Sequence, residues 1–229
     1  MKALNTEGII LNRINYGEAD RILVILTPDN GKIKVMAKGV RKIKSKLAGG
    51  VELFSISEIS YISGRKDIGT LISSRLKIHY GKIIKDINRV NLGYELIRLL
   101  NKMTEEDAEL SHFNLLQQAF IILNDLSINP LIINSWFKAQ ILVHAGHRPN
   151  LSIDINGHKL SQSKNYNFII EDMALSLNPQ GLLQQQHIKL LRLLFEPIQP
   201  AFLNRIEDTD NLLIDISPII NSIFNYHIY

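Results

Sequence analysis

Residues 21–38 read Arg21-Ile22-Leu23-Val24-Ile25-Leu26-Thr27-Pro28-Asp29-Asn30-Gly31-Lys32-Ile33-Lys34-Val35-Met36-Ala37-Lys38. A strongly β-prone run leads into a turn, and the turn into a run that alternates. In Pro28-Asp29-Asn30-Gly31 the proline presets φ, while asparagine and glycine tolerate positive φ. Beyond it Ile33, Val35 and Ala37 point to one face, and Lys32, Lys34, Met36 and Lys38 to the other. The pattern predicts a hairpin with one core face and one lysine-bearing face.

Period-two patterning extends on both sides. Gly8–Ile14 is expected as a first strand, joined to the hairpin through Tyr16-Gly17-Glu18-Ala19-Asp20. Phe54–Ile62 and Thr70–Ile78 read as strands four and five, linked by Ser63–Gly69. Five short strands fit a small Greek-key barrel, and an OB-fold has that count.

After Tyr80 the period turns helical. Ile83, Ile87, Val90, Tyr94 and Ile97 step by fours and threes along one expected stripe. A second helix is expected over 105–126, with Thr104 as N-cap and the acidic Glu105, Glu106 and Asp107 in its first turn. A third starts at Asn129-Pro130 and ends at Ala145 before Gly146. Residues 147–181 read as polar and irregular, with a short hairpin around Phe168–Ile170. Helical patterning returns over Leu182–Phe195, and Pro218 is expected to open a last helix. The expected class is α+β: a five-stranded OB-fold barrel over 1–80, then an all-helical domain over 81–229 with an irregular insertion near 147–181.

Charge is unevenly distributed. Lys38–Lys46 packs five cations into nine residues. Residues 1–80 carry 14 Lys/Arg against 7 Asp/Glu, a net +7, and residues 81–229 a net −3. Such asymmetry points to a polyanion partner for the first part. Arg21, Lys34, Lys38, Arg41, Lys42, Lys44, Lys46, Arg65 and Lys66 are the candidate phosphate contacts, with Lys32 on the same expected face as Lys34. Tyr16, Phe54, Tyr61 and Tyr80 are the only aromatics in the first 80 residues. The expected binding is therefore charge-dominated with little sequence discrimination.

Other functions find little support. No cysteine is present, which excludes disulfides, thiol catalysis and cysteine-bound zinc. Gly64-x4-Gly69 lacks the Lys-Ser/Thr of a P-loop, and no GxGxxG, HExxH or GxSxG occurs. His144, His147 and His158 make a poor metal set, so neither metal nor cofactor is expected. An apolar secretory core is missing after Met1, and no apolar run nears the roughly 18 residues of a membrane span. A cytoplasmic protein with no membrane association is expected. Two rival readings are an OB-fold that binds RNA or a ribosomal surface, and a metal-dependent nuclease. The nuclease would need Asp20, Asp29 and Asp67 together, yet they fall in separate loops.

Several blocks together resemble the bacterial RecO family of recombination mediators. They are Tyr16-Gly17-Glu18-Ala19-Asp20-Arg21, Asp29-Asn30-Gly31-Lys32, and Ala37-Lys38-Gly39-Val40-Arg41-Lys42 with Ser45 and Gly49. Gly64-Arg65-Lys66-Asp67-Ile68-Gly69-Thr70-Leu71 is similar to that family's glycine-arginine loop, and Gly146-His147-Arg148-Pro149-Asn150-Leu151 to its interdomain signature. The resemblance implies an OB-fold joined to a helical domain, with no catalytic centre. It implies binding of single- and double-stranded DNA and annealing of complementary strands. It also implies action with RecR, and often RecF, in loading recombinase onto DNA coated by single-strand-binding protein, and contact with that protein's acidic C-terminal tail. Many members place a four-cysteine zinc site after the interdomain signature. Here Ser152-Ile153-Asp154-Ile155-Asn156-Gly157-His158 has no cysteine, so residues 152–176 are expected to hold by packing alone or to stay mobile.

Overall fold

The computed structural model of the chain describes residues 3–64, 68–104 and 109–228. Its first part is a closed barrel of β1 (Leu4–Tyr16), β2 (Asp20–Leu26), β3 (Lys32–Ala37), β4 (Ser55–Ile62) and β5 (Ile68–His79). Around the barrel the strands run β1-β2-β3-β5-β4. The β2–β3 hairpin forms where the Pro-Asp-Asn-Gly turn places it. Thr27 closes that turn by donating its N–H (2.8 Å) and its hydroxyl (2.9 Å) to the Gly31 carbonyl. β1 pairs with β4 through residues 4–8 and with β2 from Ile9 onward, with a bulge between Ile10 and Asn12. Closure comes from a parallel contact of β3 with β5 at Lys34↔Ile68, Val35↔Gly69 and Met36↔Thr70.

The alternation read from β3 is the one observed. Leu23, Ile25, Val35 and Ala37 are wholly buried and meet Ile10, Ile59, Tyr61 and Leu71 in the barrel interior. Burial of Leu23, Ile25 and Val35 contributes about 1.5–3 kcal/mol each. The interior also pushes the Tyr61 hydroxyl pKa upward by desolvation.

Two helices pack with this barrel. The packing divides the chain between Asp125 and Leu126, so α1 (Ile87–Met103) and α2 (Leu110–Leu123) belong with the barrel in one compact unit. α1 begins at Asp86, whose carboxylate caps the Asn88 N–H. Its buried face is Arg89, Leu92, Gly93, Leu96, Ile97, Leu99 and Leu100. The stripe expected from the sequence is thus rotated: Ile87 and Tyr94 are exposed, and Ile83 sits in a preceding 3-10 turn. The rotation follows from Gly93. Phe54, buried at a positive φ of 54°, places its ring against that glycine and between Tyr94 (centroids 5.4 Å) and Phe120 (5.7 Å). A Cβ at residue 93 would lie 2.5 Å from Phe54 Cε1. Arg89 joins the buried face because its Nη1 donates to the Leu123 carbonyl at 2.9 Å.

Thr104 is not the N-cap of α2. It closes α1, its N–H and hydroxyl both reaching the Leu100 carbonyl. α2 instead begins after Glu109, whose N–H donates to Nδ1 of His112 (3.1 Å). Glu105–Asp107 lie outside the described residues. Burial holds the His112 pKa below its ordinary value.

The second unit, from Leu126 on, is built on α3 (Pro130–His144), which starts at the Asn129 cap. Trp136 and Phe137 of α3 are buried among α4 (Gln185–Phe195) and α5 (Thr209–Ile228). Residues 150–177 form a three-stranded sheet of β6 (Asn150–Asp154), β7 (Tyr166–Ile169) and β8 (Ala174–Leu177), in the order β6-β8-β7. The expected hairpin near Phe168–Ile170 is β7–β8. The irregular insertion is therefore ordered, and the helical unit is not helical throughout. Asp154 Oδ1 accepts the N–H groups of Asn156 and His158, both at 2.9 Å, which holds its pKa below the usual carboxylate range. Arg192 of α4 ties β6 down through the Leu151 carbonyl. Pro218 lies inside α5 rather than opening it. It occupies the exposed face, so the carbonyl it leaves without a helical donor is on the side open to water. Among the described residues no helix is long and apolar enough to cross a membrane.

Two outcomes follow from the first unit. Gly93→Ala gains about 1 kcal/mol of helix propensity but drives a methyl into a ring held by two others, so urea unfolding should show a net loss of about 1 kcal/mol or more. For His112 the folded pKa lies below the unfolded one, so its contribution is present above the unfolded pKa near 6.5 and lost as pH falls through and below it. His112→Gln should flatten the decline in urea midpoint between about pH 7.5 and 5.5 relative to wild type. Parallel profiles would contradict this.

Candidate nucleic-acid interface

On the outer side of the barrel, cross-strand register aligns Ile14, Ile22, Met36 and Thr70 in one row across four strands. The adjacent row is Asn12, Val24, Lys34 and Ile68. Lys34 and Lys38 are exposed on this side and flank Met36 along β3. Tyr16, 55% exposed, stands beyond Ile14 (47%) on β1. The open face is thus an apolar row bordered by two lysines and an aromatic ring. The sequence showed the lysines, but not the row, because Ile14, Ile22 and Met36 come from three separate segments.

Lys32 does not join this face. Its Nζ donates to the carbonyls of Asn101 (3.0 Å) and Thr104 at the C-terminal end of α1, where cations meet the helix dipole and unsatisfied carbonyls. That end of the sheet is covered by the helix. Arg21 points to the other side of β2, in the register of Leu23 and Ile25, where its Nε donates to Asn15 Oδ1 (3.1 Å). Arg65 and Lys66 lie outside the described residues.

The basic loop is a chain of turns folded across the barrel end. Val40 and Val51, 3% and 1% exposed, enter the core, and Leu47 packs against it. At the start of the loop Gly39 has φ +65°, a conformation that side chains resist, and its N–H donates to Asp20 Oδ1 at 2.7 Å. Next to it the Arg41 N–H donates to the Ala19 carbonyl at 2.9 Å. At the far end the Ser74 hydroxyl donates to the Leu47 carbonyl at 2.9 Å. Arg41, Lys42, Lys44 and Lys46 remain exposed, and Ile43 between them projects fully into solvent. The Gly17–Asp20 turn and the basic loop thus form one bonded unit at one edge of the open face. Arg41 Nη1 also leans on the Gly17 carbonyl at 3.4 Å.

Other candidate groups are dispersed. Arg148 is held by Glu196 (2.8 Å) and the Phe195 carbonyl (2.5 Å). His147 stacks on His227, and exposed His158 lies 3.6 Å from Asp154. Among the described residues no group of three or more His, Asp or Glu side chains could hold a metal ion.

Comparison with known proteins matches residues 1–78 to the family described as Recombination protein O N terminal. The chain is similar to the DNA repair protein RecO of Alkaliphilus metalliredigens, 32% identical over 150 residues, or 65% of this chain and 61% of that protein. It is 35% identical to DNA repair protein RecO of Dehalococcoides mccartyi strain CBDB1 over 159 residues, or 69% and 62% of the two chains. With DNA repair protein RecO of Acetivibrio thermocellus the identity is 30% over 171 residues, or 74% and 68%. The chain spans about three fifths of the length of the first two relatives.

If the Asp20 carboxylate holds the base of the loop, Asp20→Ala should cost about 1–3 kcal/mol in urea unfolding. It should also speed amide exchange at Gly39. Asp20→Asn keeps an acceptor oxygen and should recover most of the loss. An alanine variant with wild-type stability and exchange would refute the anchoring role.

Proposed function

The chain belongs to the RecO family, and on that premise we propose that it is a non-enzymatic mediator of DNA repair and recombination. It binds single- and double-stranded DNA, anneals complementary strands and helps load recombinase onto DNA coated by single-strand-binding protein. Its partners are RecR, often RecF, and the acidic C-terminal tail of the coating protein. The observation that carries this reading is the exposed loop with Arg41, Lys42, Lys44 and Lys46, fixed beside a sheet face that bears Lys34, Lys38 and Tyr16.

Annealing has a physical logic on such a surface. Two strands repel through their phosphates, and a cationic rim lowers that repulsion by releasing counterions. Base stacking on an aromatic ring or apolar row holds a strand without occupying its Watson–Crick edges. Those edges stay free to find a complement. Among the described residues no carboxylate cluster that could hold a divalent ion is present, and Asp67 lies outside them.

Binding should weaken steeply with salt. If about five phosphates are neutralised, the slope of log K against log[salt] for single strands should be near −3.5, at roughly −0.7 per phosphate. Replacing Arg41, Lys42, Lys44 and Lys46 together by alanine should shrink that slope by up to about 2.8 and slow annealing, with the fold intact because the loop is held by Val40, Val51 and Asp20. A flat salt response, or annealing by the quadruple variant at the wild-type rate, would overturn the reading. Tight preference for a folded RNA over single-stranded DNA would favour the RNA-binding alternative.

A further inference from the structure

A groove of about 670 Å3 runs between α1 and β1 within the first unit. Its helical wall is Asn91, Tyr94, Arg98 and Asn101, which step by three, four and three along one side of α1. The opposite wall is Asn12 and Arg13 of β1, and the floor is apolar, from Leu11, Leu53 and Ile97. Together with the β1 residues these polar groups line one groove. The side chains of Asn91, Arg98 and Asn101 have no hydrogen-bond partner among the described residues. Arg89 of the same helix shows the contrast, since it is buried and committed to the Leu123 carbonyl. The Arg13 guanidinium lies 3.6 Å from a Glu52 carboxylate oxygen.

We infer that this groove is a second binding site for single-stranded nucleic acid, taking a nucleotide of the same strand that crosses the lysine-bearing face. The inference rests on the DNA-binding reading above and extends it to residues outside the basic loop. Each group has a nucleotide counterpart. Arg98 and Arg13 suit phosphate oxygens, and asparagine amides pair with base edges as donor and acceptor together. Tyr94, about half exposed and braced on Phe54, presents a ring for stacking. Glu95 also lines the groove. A carboxylate-rich peptide could meet Arg13 and Arg98 but offers no base edge to the amides and no base to stack on Tyr94.

Continuity supports one path. The outward residues Asn12, Ile14 and Tyr16 lead along β1 from the groove to the turn that holds the basic loop. At about 3.3 Å per residue this track is about 13 Å long. A strand laid along it meets cations at both ends and apolar or aromatic surface between them.

The test uses the whole chain and fluorescently labelled single-stranded oligonucleotides of increasing length. Arg98→Ala with Asn91→Ala, both exposed helix positions, should lower affinity about tenfold and reduce the salt slope by about 0.7. The variant's affinity should also stop rising at a shorter oligonucleotide length. Arg98→Lys should restore the slope while recovering affinity only in part. Ultraviolet cross-linking of a 5-iodouracil oligonucleotide should label Tyr94. If the wild type binds DNA with a steep salt slope while the double variant is unchanged and Tyr94 is unlabelled, the groove site is overturned and the basic-loop reading stands. If the variant instead loses only binding of an aspartate-rich peptide, the groove is a peptide site and the inference falls. Failure of the wild type to bind DNA would remove both.

Discussion

The approach of α1 to the barrel depends on residue 93 having no side chain. Phe54 fills that space with its ring, at the expense of a left-handed backbone. From this contact the helix axis is fixed, and with it the point where its last carbonyls meet Lys32. The sheet face is thereby partitioned. The end bearing Lys32 is tied to the end of α1, while Lys34 and Lys38 stay exposed. The groove along β1 is the border between these zones.

Next to the open zone, five like charges fall within nine residues and repel one another. They cannot shape the loop that carries them. Its shape comes from neutral groups and one acid: Val40 and Val51 in the core, and Asp20 under Gly39. Apart from the long Arg41–Gly17 contact, the loop's shape does not draw on its cations. Their engagement with an external anion then costs the fold little.

Much of this was legible in the residues. The hairpin, the number of strands, the start of α3 and the core face of β3 follow from period and turn chemistry, which are local. What failed was decided elsewhere in the chain. The stripe of Ile83, Ile87, Val90, Tyr94 and Ile97 has good helical spacing, yet Phe54 and Leu123 select a neighbouring face centred on Gly93. Lys32 and Lys34 look alike in sequence and differ only because a helix 70 residues later ends over one of them. The short strands β6, β7 and β8 carry too few residues for a clear period and draw their order from Asp154, Arg192 and mutual pairing. The groove lined by Asn91, Arg98 and Asn101 needs β1 beside α1, which no local pattern shows.

The parallel seam between β3 and β5 has a bearing on how the barrel forms and opens. Three residue pairs hold it, between positions 34 apart in the chain, while the other strand pairings of the barrel are antiparallel and longer. The loop-closure entropy of that contact is recovered only after the hairpin and the β4–β5 pair exist. Zippering therefore reaches this seam late in folding, and its few ladder bonds make it the place where sub-global opening begins. Since the seam includes Lys34 and Met36, a strand bound on the proposed interface would suppress the local breathing of the barrel at that point.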